Sequence, residues 1–408
     1  MLIWQLAWRY LRGKRSANVV PVLSRISMAA IAVGSGALIV LFSVFNGFED
    51  LIKELYKSFY PDIKITAKKG KFFSESDLPI EKLASIPGIQ AFAKVIEDNV
   101  LLNSNEEQYI ATLKGIDHQY IGVNNILPYI YSGRSAVSQS PIPTAIVGLR
   151  IAAQLGLDPE NVFSQLTVYY PNPQIRNAAL NPTDAFQSLK LKPDGIFRVQ
   201  EEFDGKFILA SFPLVQELFL QPGQLSSLEL SVLPDVDPAE IKQQLAQLLG
   251  DQYLVATRYE QNRTLYMVMK TEKWVVYAIL VLVLLIASFN MVGALTMLVL
   301  EKQKDIAILK AMGATPRMIR GIFLMEGVLW AAIGGGIGLL LGIAICLGQQ
   351  HFQWIRLQGA FLIDAYPVAL RLMDVFVVIV TVALVGFLAA LYPALRSTRV
   401  EDPSLKAS

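Results

Sequence analysis

Four long apolar runs, one near the start of the chain and three in its last third, decide what this sequence can become. Residues 26–47, 271–300, 321–349 and 372–393 each hold about the twenty consecutive apolar residues that a helix needs to cross a bilayer. Hydrocarbon admits only backbone that satisfies its own hydrogen bonds, so each run is expected to be a transmembrane helix. Residues 48–270 differ in character: charges, prolines and turn residues are frequent, and no stretch is apolar enough to span. The expected fold is an α-helical membrane protein with four transmembrane helices and a large α+β extracytoplasmic domain between the first and second. A content of 53% hydrophobic and 17% charged residues fits a membrane protein with one sizeable soluble part.

Position along the chain refines this. Residues 1–25 mix Trp4, Trp8 and Tyr10 with Arg9, Arg12, Lys14, Arg15 and Arg25 and hold no acid, which reads as an amphipathic helix at the cytoplasmic membrane surface. The first run is too long, and too poor in a small-residue cleavage site, for a signal peptide. Ala30, Gly34 and Ala37 offer a small-residue face for close helix packing, as do Gly334, Gly338 and Gly342 at four-residue spacing. Ser288 and Asn290, deep in the second run, are expected to face another helix, and Glu326 to make an interfacial or interhelical hydrogen bond. Pro393 marks the end of the fourth span. Positive residues gather in 1–25, in 301–320 and in the tail 394–408, while the loop 350–371 holds only Arg356 and Arg371. The positive-inside rule puts both termini and 301–320 in the cytoplasm, and 48–270 on the other side.

Within 48–270 the order strand, helix, strand is predicted twice: Asp62–Ala67, Leu78–Ile86 and Phe92–Asn103 near one end, and Ser227–Leu233, Asp237–Leu249 and Asp251–Arg258 near the other. Gln108–Lys114 reads as a further strand. The arrangement suggests a split α+β core with strands from both ends in one sheet, and a second subdomain inserted at about 115–223 with strands at Leu166–Tyr170, Phe197–Gln200 and Phe207–Ala210. The longest stretch without periodicity, 171–193, reads equally as a functional loop or as a tolerated surface insertion.

The segment 301–320, EKQKDIAILKAMGATPRMIR, is short, charged and held between two spans. Ile306, Leu309 and Met312 recur at helical spacing beside Glu301, Lys302, Lys304, Asp305 and Lys310, which predicts a short amphipathic helix. Gly313 suits its C-terminal stop, and Thr315-Pro316 suits the cap and first turn of the next helix. Two histidines, His118 and His351, and one cysteine, Cys346, supply no zinc-ligand set and no disulfide framework. No phosphate-gripping glycine loop and no nucleophile–base set is visible, so an enzyme is not expected. A net charge of +2 gives no case for nucleic acid. Any energy used must come from a partner.

One span, a large outer domain and three further spans resemble the layout of MacB-type ABC transporter permeases, whose C-terminal part is shared with FtsX. Val44–Leu51 (VFNGFEDL), Ala287–Val292 (ASFNMV), the basic stretch Arg9–Ser27 and EKQKDIAILKAMGA resemble the lipoprotein-releasing permeases LolC and LolE. The resemblance covers nearly the whole chain and is weakest between 115 and 225. It implies an FtsX-like permease region at about 274–400 and a MacB-like periplasmic core within 48–270. It also implies a non-enzymatic subunit in the bacterial inner membrane. Partners would be a cytoplasmic LolD-like ATPase dimer holding ATP and Mg, a second permease subunit, a lipoprotein substrate and a periplasmic LolA-like carrier. This chain would bind no cofactor or metal of its own. Glu301–Gly313 would dock on the ATPase and drive the outer domain by mechanotransmission. Phe42, Phe45, Phe48, Ile279 and Val283 would be candidates for contact with substrate acyl chains, a role no more expected of each than plain lipid contact or packing. Pro171, Asn172, Pro173, Ile175, Pro182 and Phe186 would stand where a carrier-recruiting hook could be. A MacB-like exporter and an FtsX-like activator of a cell-wall hydrolase are the competing functions.

Overall fold

The computed structural model of the chain describes residues 19–134, 142–172, 185–356 and 365–397. The expected interfacial helix over 1–25 lies outside them as far as residue 18, and so does most of the tail. The described chain forms two compact units, one built from helices and one, Ile52–Tyr266, built around a sheet.

Helix α1 (Val19–Tyr56) opens the chain. The sheet unit then runs β1 (Ile63–Ala67), β2 (Phe73–Ser74), α2 (Ile80–Ala84), β3 (Ile89–Ser104), β4 (Glu107–Ile116), β5 (Ile130–Gly133), β6 (Thr144–Gly148), α3 (Leu149–Leu155), β7 (Leu166–Pro171), β8 (Phe186–Phe197), β9 (Phe207–Ser211), α4 (Phe212–Leu218), β10 (Gln224–Leu225), β11 (Ser227–Val232), α5 (Pro238–Leu249) and β12 (Tyr253–Thr257). Helices α6 (Arg263–Glu301), α7 (Gln303–Ala311), α8 (Pro316–Phe352) and α9 (Leu372–Arg396) follow. Four of these helices, α1, α6, α8 and α9, are long and apolar enough to cross a membrane.

In the large sheet the strand order is β12-β1-β11-β3-β4-β9-β6-β8-β5, with β7 bridging β3 and β8. The early strands β1 and β3 therefore interleave with the late strands β11 and β12. Among the described residues the intervening segment builds no separate sheet. Strand β9 adds in parallel to β4, and β6 and β8 continue from it, so the edge that β4 would otherwise leave open is paired. Alternation sends Ile63 and Ile65 of β1, Leu113 of β4 and Leu228 and Leu230 of β11 into one core, covered by Val215 of α4 and Ile241 and Leu245 of α5.

The other face of those strands is polar and also buried. Lys114 donates to Glu229 at 2.8 Å, Asn124 donates to the same carboxylate at 2.7 Å, and Lys64 pairs with Glu97 at 2.7 Å. The Lys114 ammonium lies 4.8 Å from the centre of the Tyr120 ring. Burial alone would lower the Lys114 pKa, but the Glu229 and Glu97 carboxylates outweigh it and raise it. Burial would raise Glu97, and the Lys64 and Lys114 ammonium groups instead bring it to about 2. Beside this layer the last residue of α1, Tyr56, meets Phe203 at 5.1 Å, and Phe59 just beyond the helix stacks on Phe203 at 5.0 Å and on Phe207 at 4.9 Å.

In the helical unit α1 and α8 meet backbone to backbone. A side chain at Gly334, Gly338 or Gly342 would collide with Met28, with Ala32 and Ser35, or with Gly36 and Ile39. Ser35 adds a hydrogen bond to the Gly335 carbonyl at 3.3 Å. The partner face on α1 is thus Ala32, Ser35 and Gly36. Of the small residues picked from sequence, Gly34 packs on Leu284 of α6 and Ala37 is exposed. Asn290 is exposed as well, contrary to expectation, whereas Ser288 is buried and bonds the Leu285 carbonyl. Glu326 is buried, but its Oε2 has no hydrogen-bond partner among the described residues, so the expected bond is absent from that oxygen. Pro393 does not end α9, which continues to Arg396. A proline in the last turn removes only one backbone bond, which the helix tolerates there. Gln349 braces the turn after α8, donating to the Ile355 carbonyl at 2.8 Å and accepting from the Ile355 amide at 3.0 Å.

Candidate functional site

The segment between α6 and α8 forms as its residues direct. Helix α7 stops at Met312, Gly313 takes φ +89°, and the Thr315 hydroxyl accepts from the Met318 amide with Pro316 in the first turn of α8. A left-handed residue is what glycine supplies without strain, and the threonine cap satisfies a donor the helix cannot. Ile306 is buried within the helical unit and Leu309 is half-buried, so the face inferred from sequence is largely the inward one. The outward face is Lys304, Ile308, Ala311 and Met312, spaced as one side of a helix. Ile308 and Met312 are 59% and 78% exposed, an apolar pair beside the exposed Lys304 and Lys310. Lys302 pairs with Asp305 at 3.2 Å, which fixes the start of α7, while Glu301 closes α6.

The NGF segment at the other end of α1 holds a second constellation. Asn46 has no solvent exposure; its amide donates to the Ala369 carbonyl at 3.1 Å and to Asp374 of α9 at 2.5 Å. Its carbonyl accepts from Lys273 of α6 at 2.8 Å, and Lys273 lies 3.5 Å from Asp374 and 5.2 Å from the Phe42 ring centre. One asparagine thereby joins α1, α6 and α9. Gly47 lies against the backbone of Pro367 and Val368 with no room for a side chain, and Arg371 pairs with Glu49 and Asp50 at 3.3 and 2.7 Å. Sequence reasoning recognised this motif only by its resemblance; Lys273 and Asp374 were missed, and lone charges at the ends of two apolar runs were the available signal.

The residues picked for acyl contact separate into two groups. Phe42 is buried, stacked on Tyr277 at 5.4 Å, and Phe48 is half-buried against Tyr366 at 5.1 Å. Phe45 is half-buried too. Phe42 is therefore turned inward, with Tyr277 and Lys273 of α6 on its face, an arrangement that matches the packing alternative for this residue. Ile279 and Val283 are half-exposed on α6, on a surface that continues through Ile286 and Phe289. Helix α6 is the least packed of the four long helices.

The stretch 171–193 is not one loop. Strands β7 and β8 form an antiparallel hairpin in which Pro171 faces Phe186 and Leu166 faces Leu191, and the Asn172 amide donates to the Ala185 carbonyl at 2.9 Å. The first part of β8, residues 186–190, alternates between exposed and half-exposed positions, and only from Leu191 onward does the strand enter the core, so its start carries no apolar period. Pro173, Ile175 and Pro182 lie outside the described residues. Among the described residues no three His, Cys, Asp or Glu side chains gather as metal ligands would.

Comparison with known proteins agrees with this layout. The MacB-like periplasmic core domain matches residues 24–248, more than half of the chain, and the FtsX-like permease C-terminal region matches residues 277–401. The lipoprotein-releasing system transmembrane protein LolC of Xylella fastidiosa is 26% identical over 405 residues, covering 96% of this chain and 95% of that one. The chain belongs to the LolC/LolE family of FtsX-like permeases. LolE of Haemophilus influenzae is likewise 26% identical, over 424 residues that cover 99% of this chain and 98% of the relative. Among solved structures, the periplasmic region of MacB from Actinobacillus actinomycetemcomitans covers 53% of this chain at 13% identity with a TM-score of 0.37. As a LolC/LolE-type permease the chain carries its family features in three places: the NGF junction, the α7 turn and the sheet unit between α1 and α6.

Proposed function

We propose that this chain is the transmembrane subunit of an ATP-driven ABC transporter of the bacterial inner membrane, with both termini cytoplasmic. It extracts lipoproteins for delivery to the outer membrane. The observation that carries the reading is full-length likeness to two proteins named as lipoprotein-releasing transmembrane subunits. ATP and Mg are held by a separate LolD-like ATPase dimer, and the exposed Lys304–Ile308–Met312 face of α7 is its docking surface. Its apolar pair can fill a groove, and its lysines can answer acidic rims. A second permease subunit completes the membrane part, and the exposed Ile279–Val283 side of α6 faces the acyl chains of the substrate. The β7–β8 hairpin recruits a LolA-like carrier on the periplasmic side.

Affinity purification from membranes in mild detergent, with mass spectrometry of proteins and bound acyl chains, tests this. A small ATPase recovered with triacylated lipoproteins is the expected result. Recovery of the ATPase with a cell-wall hydrolase and no lipoprotein overturns it in favour of an FtsX-like signalling role. Removing residues 174–183 should abolish carrier binding while ATP hydrolysis persists; undiminished carrier binding would leave the hairpin as a surface insertion.

A further inference from the structure

The loop joining α3 to β7 presents the most exposed large apolar side chain among the described residues of the sheet unit. Phe163 is 90% exposed and its neighbour Val162 73%. The loop is nonetheless well braced. Helix α3 ends at Gly156 with φ +62°, Leu157 and Leu166 are buried at either end, the Glu160 amide donates to Asp158 Oδ1 at 2.9 Å, and the Phe163 amide donates to Asn161 Oδ1 at 2.9 Å. The Ser164 amide closes the turn onto the Asn161 carbonyl at 3.1 Å. An aromatic side chain carried outward on a hydrogen-bonded turn meets a partner without the backbone having to order first, so less conformational entropy is lost on docking than from a flexible loop.

Acidic groups outnumber basic ones around the loop, where the bases are Arg134, next to the Gly133 that Pro159 approaches, and Lys190, in register with Thr167. Asp158 and Glu160 belong to the loop, Glu106 to the β3–β4 turn and Glu107 to the first position of β4, which lie alongside: the Asn105 side chain approaches Gly156, and Asn103 is in register with Thr167. All four carboxylates are exposed, and among the described residues none forms an ion pair.

We propose that the 157–165 loop is a docking anchor for a soluble protein with an apolar pocket rimmed by basic residues, Phe163 filling the pocket and the four carboxylates meeting the rim. The charge decides between occupants. A segment that enters a bilayer carries lysine or arginine beside its apolar residues, whereas four carboxylates are repelled by anionic headgroups. A second copy of this chain meeting the loop symmetrically would bring like charges together. The anchor stands apart from Pro171, the far end of β7, by the length of that strand, about 20 Å, and does not depend on what the residues beyond it bind.

The test is photocrosslinking in cells from p-benzoylphenylalanine placed at position 163 of the full-length chain, with position 254 as an exposed control on the distant edge strand. One predominant adduct with a soluble protein is expected from position 163 and not from 254. That protein, purified, should bind the wild-type full-length chain in nanodiscs. Binding should be at least tenfold weaker to Phe163→Ala and to the Asp158→Lys/Glu160→Lys variant, both with unchanged Tm. Adducts with lipid or with a second copy of this chain, the absence of any adduct, or equal affinity for wild type and variants would each overturn the proposal.

Discussion

Asn46 is a buried amide that uses its donor side on α9 and its acceptor side on α6, so no other side chain of its size can replace it. Asn46→Leu should cost about 1–3 kcal/mol by leaving those partners unsatisfied. Asn46→Asp should cost more at neutral pH, because it sets a second carboxylate against Asp374. Thermal unfolding of the purified protein in detergent would order the two. The polar layer of the sheet unit gives a second residue-scale expectation: Lys114→Met removes the nearer cation of buried Glu229, leaving Lys64 at 3.8 Å, and should cost about 3 kcal/mol, while Lys114→Met with Glu229→Met should recover most of the loss. Asp204 behaves in the opposite sense to a paired carboxylate. Burial pushes it from an ordinary 3.8 up to about 6, against the bonds it accepts from the Val199 and Gln200 amides. Between those two pH values the folded state holds the extra proton, so the group favours folding below about pH 4 and loses that advantage as pH rises through 6. Asp204→Asn should therefore raise Tm by a few degrees at pH 7 and change it little at pH 4, as read by paired thermal melts.

Among the elements, the α1–α8 contact is the least forgiving. A side chain at Gly338 would meet the Ala32 carbonyl and the Ser35 hydroxyl, both fixed in α1, so Gly338→Leu should separate the helices and reduce the folded yield severely, whereas Gly336→Leu, which meets nothing within 4 Å, should be tolerated. Fluorescence-detected size-exclusion chromatography of the two variants would tell. The glycine spacing of α8 was legible from sequence because four-residue periodicity fixes one helix face. The facing residues on α1 were not, since Ala30, Ala32, Gly34, Ser35, Gly36 and Ala37 leave several small faces to choose from. Helix α7 shows the same limit. Its cap and stop were legible from Gly313, Thr315 and Pro316, but Ile306 and Ile308 are chemically alike and only packing decides which one turns inward. The polar start of β8 and the pairing of Lys273 with Asp374 across a hundred residues left no local pattern at all.

For the whole molecule, two properties coexist: a helical unit with one loosely packed helix, and a sheet unit braced by a buried ionic layer. If α7 passes motion from an ATPase, then Ile308→Asp should lower ATP-dependent substrate release at least tenfold while leaving expression and Tm close to wild type, since that side chain makes little contact within its own chain. Ile306→Asp should instead lower Tm, because its site is buried. Release assays in proteoliposomes together with melts would separate the two. The interleaving of β1 with β11 and β12 also bears on how the protein is made. Strand β1 has neighbours only from the far end of the domain, so it leaves the ribosome well before either exists. At ordinary synthesis rates the wait is on the order of ten to forty seconds. Throughout that interval an apolar strand with both edges open is available to any passing chain. Nascent-chain quality control would therefore act on this protein chiefly between the synthesis of β1 and that of β12, and a pause placed late in that window would be costlier to the cell than one after it.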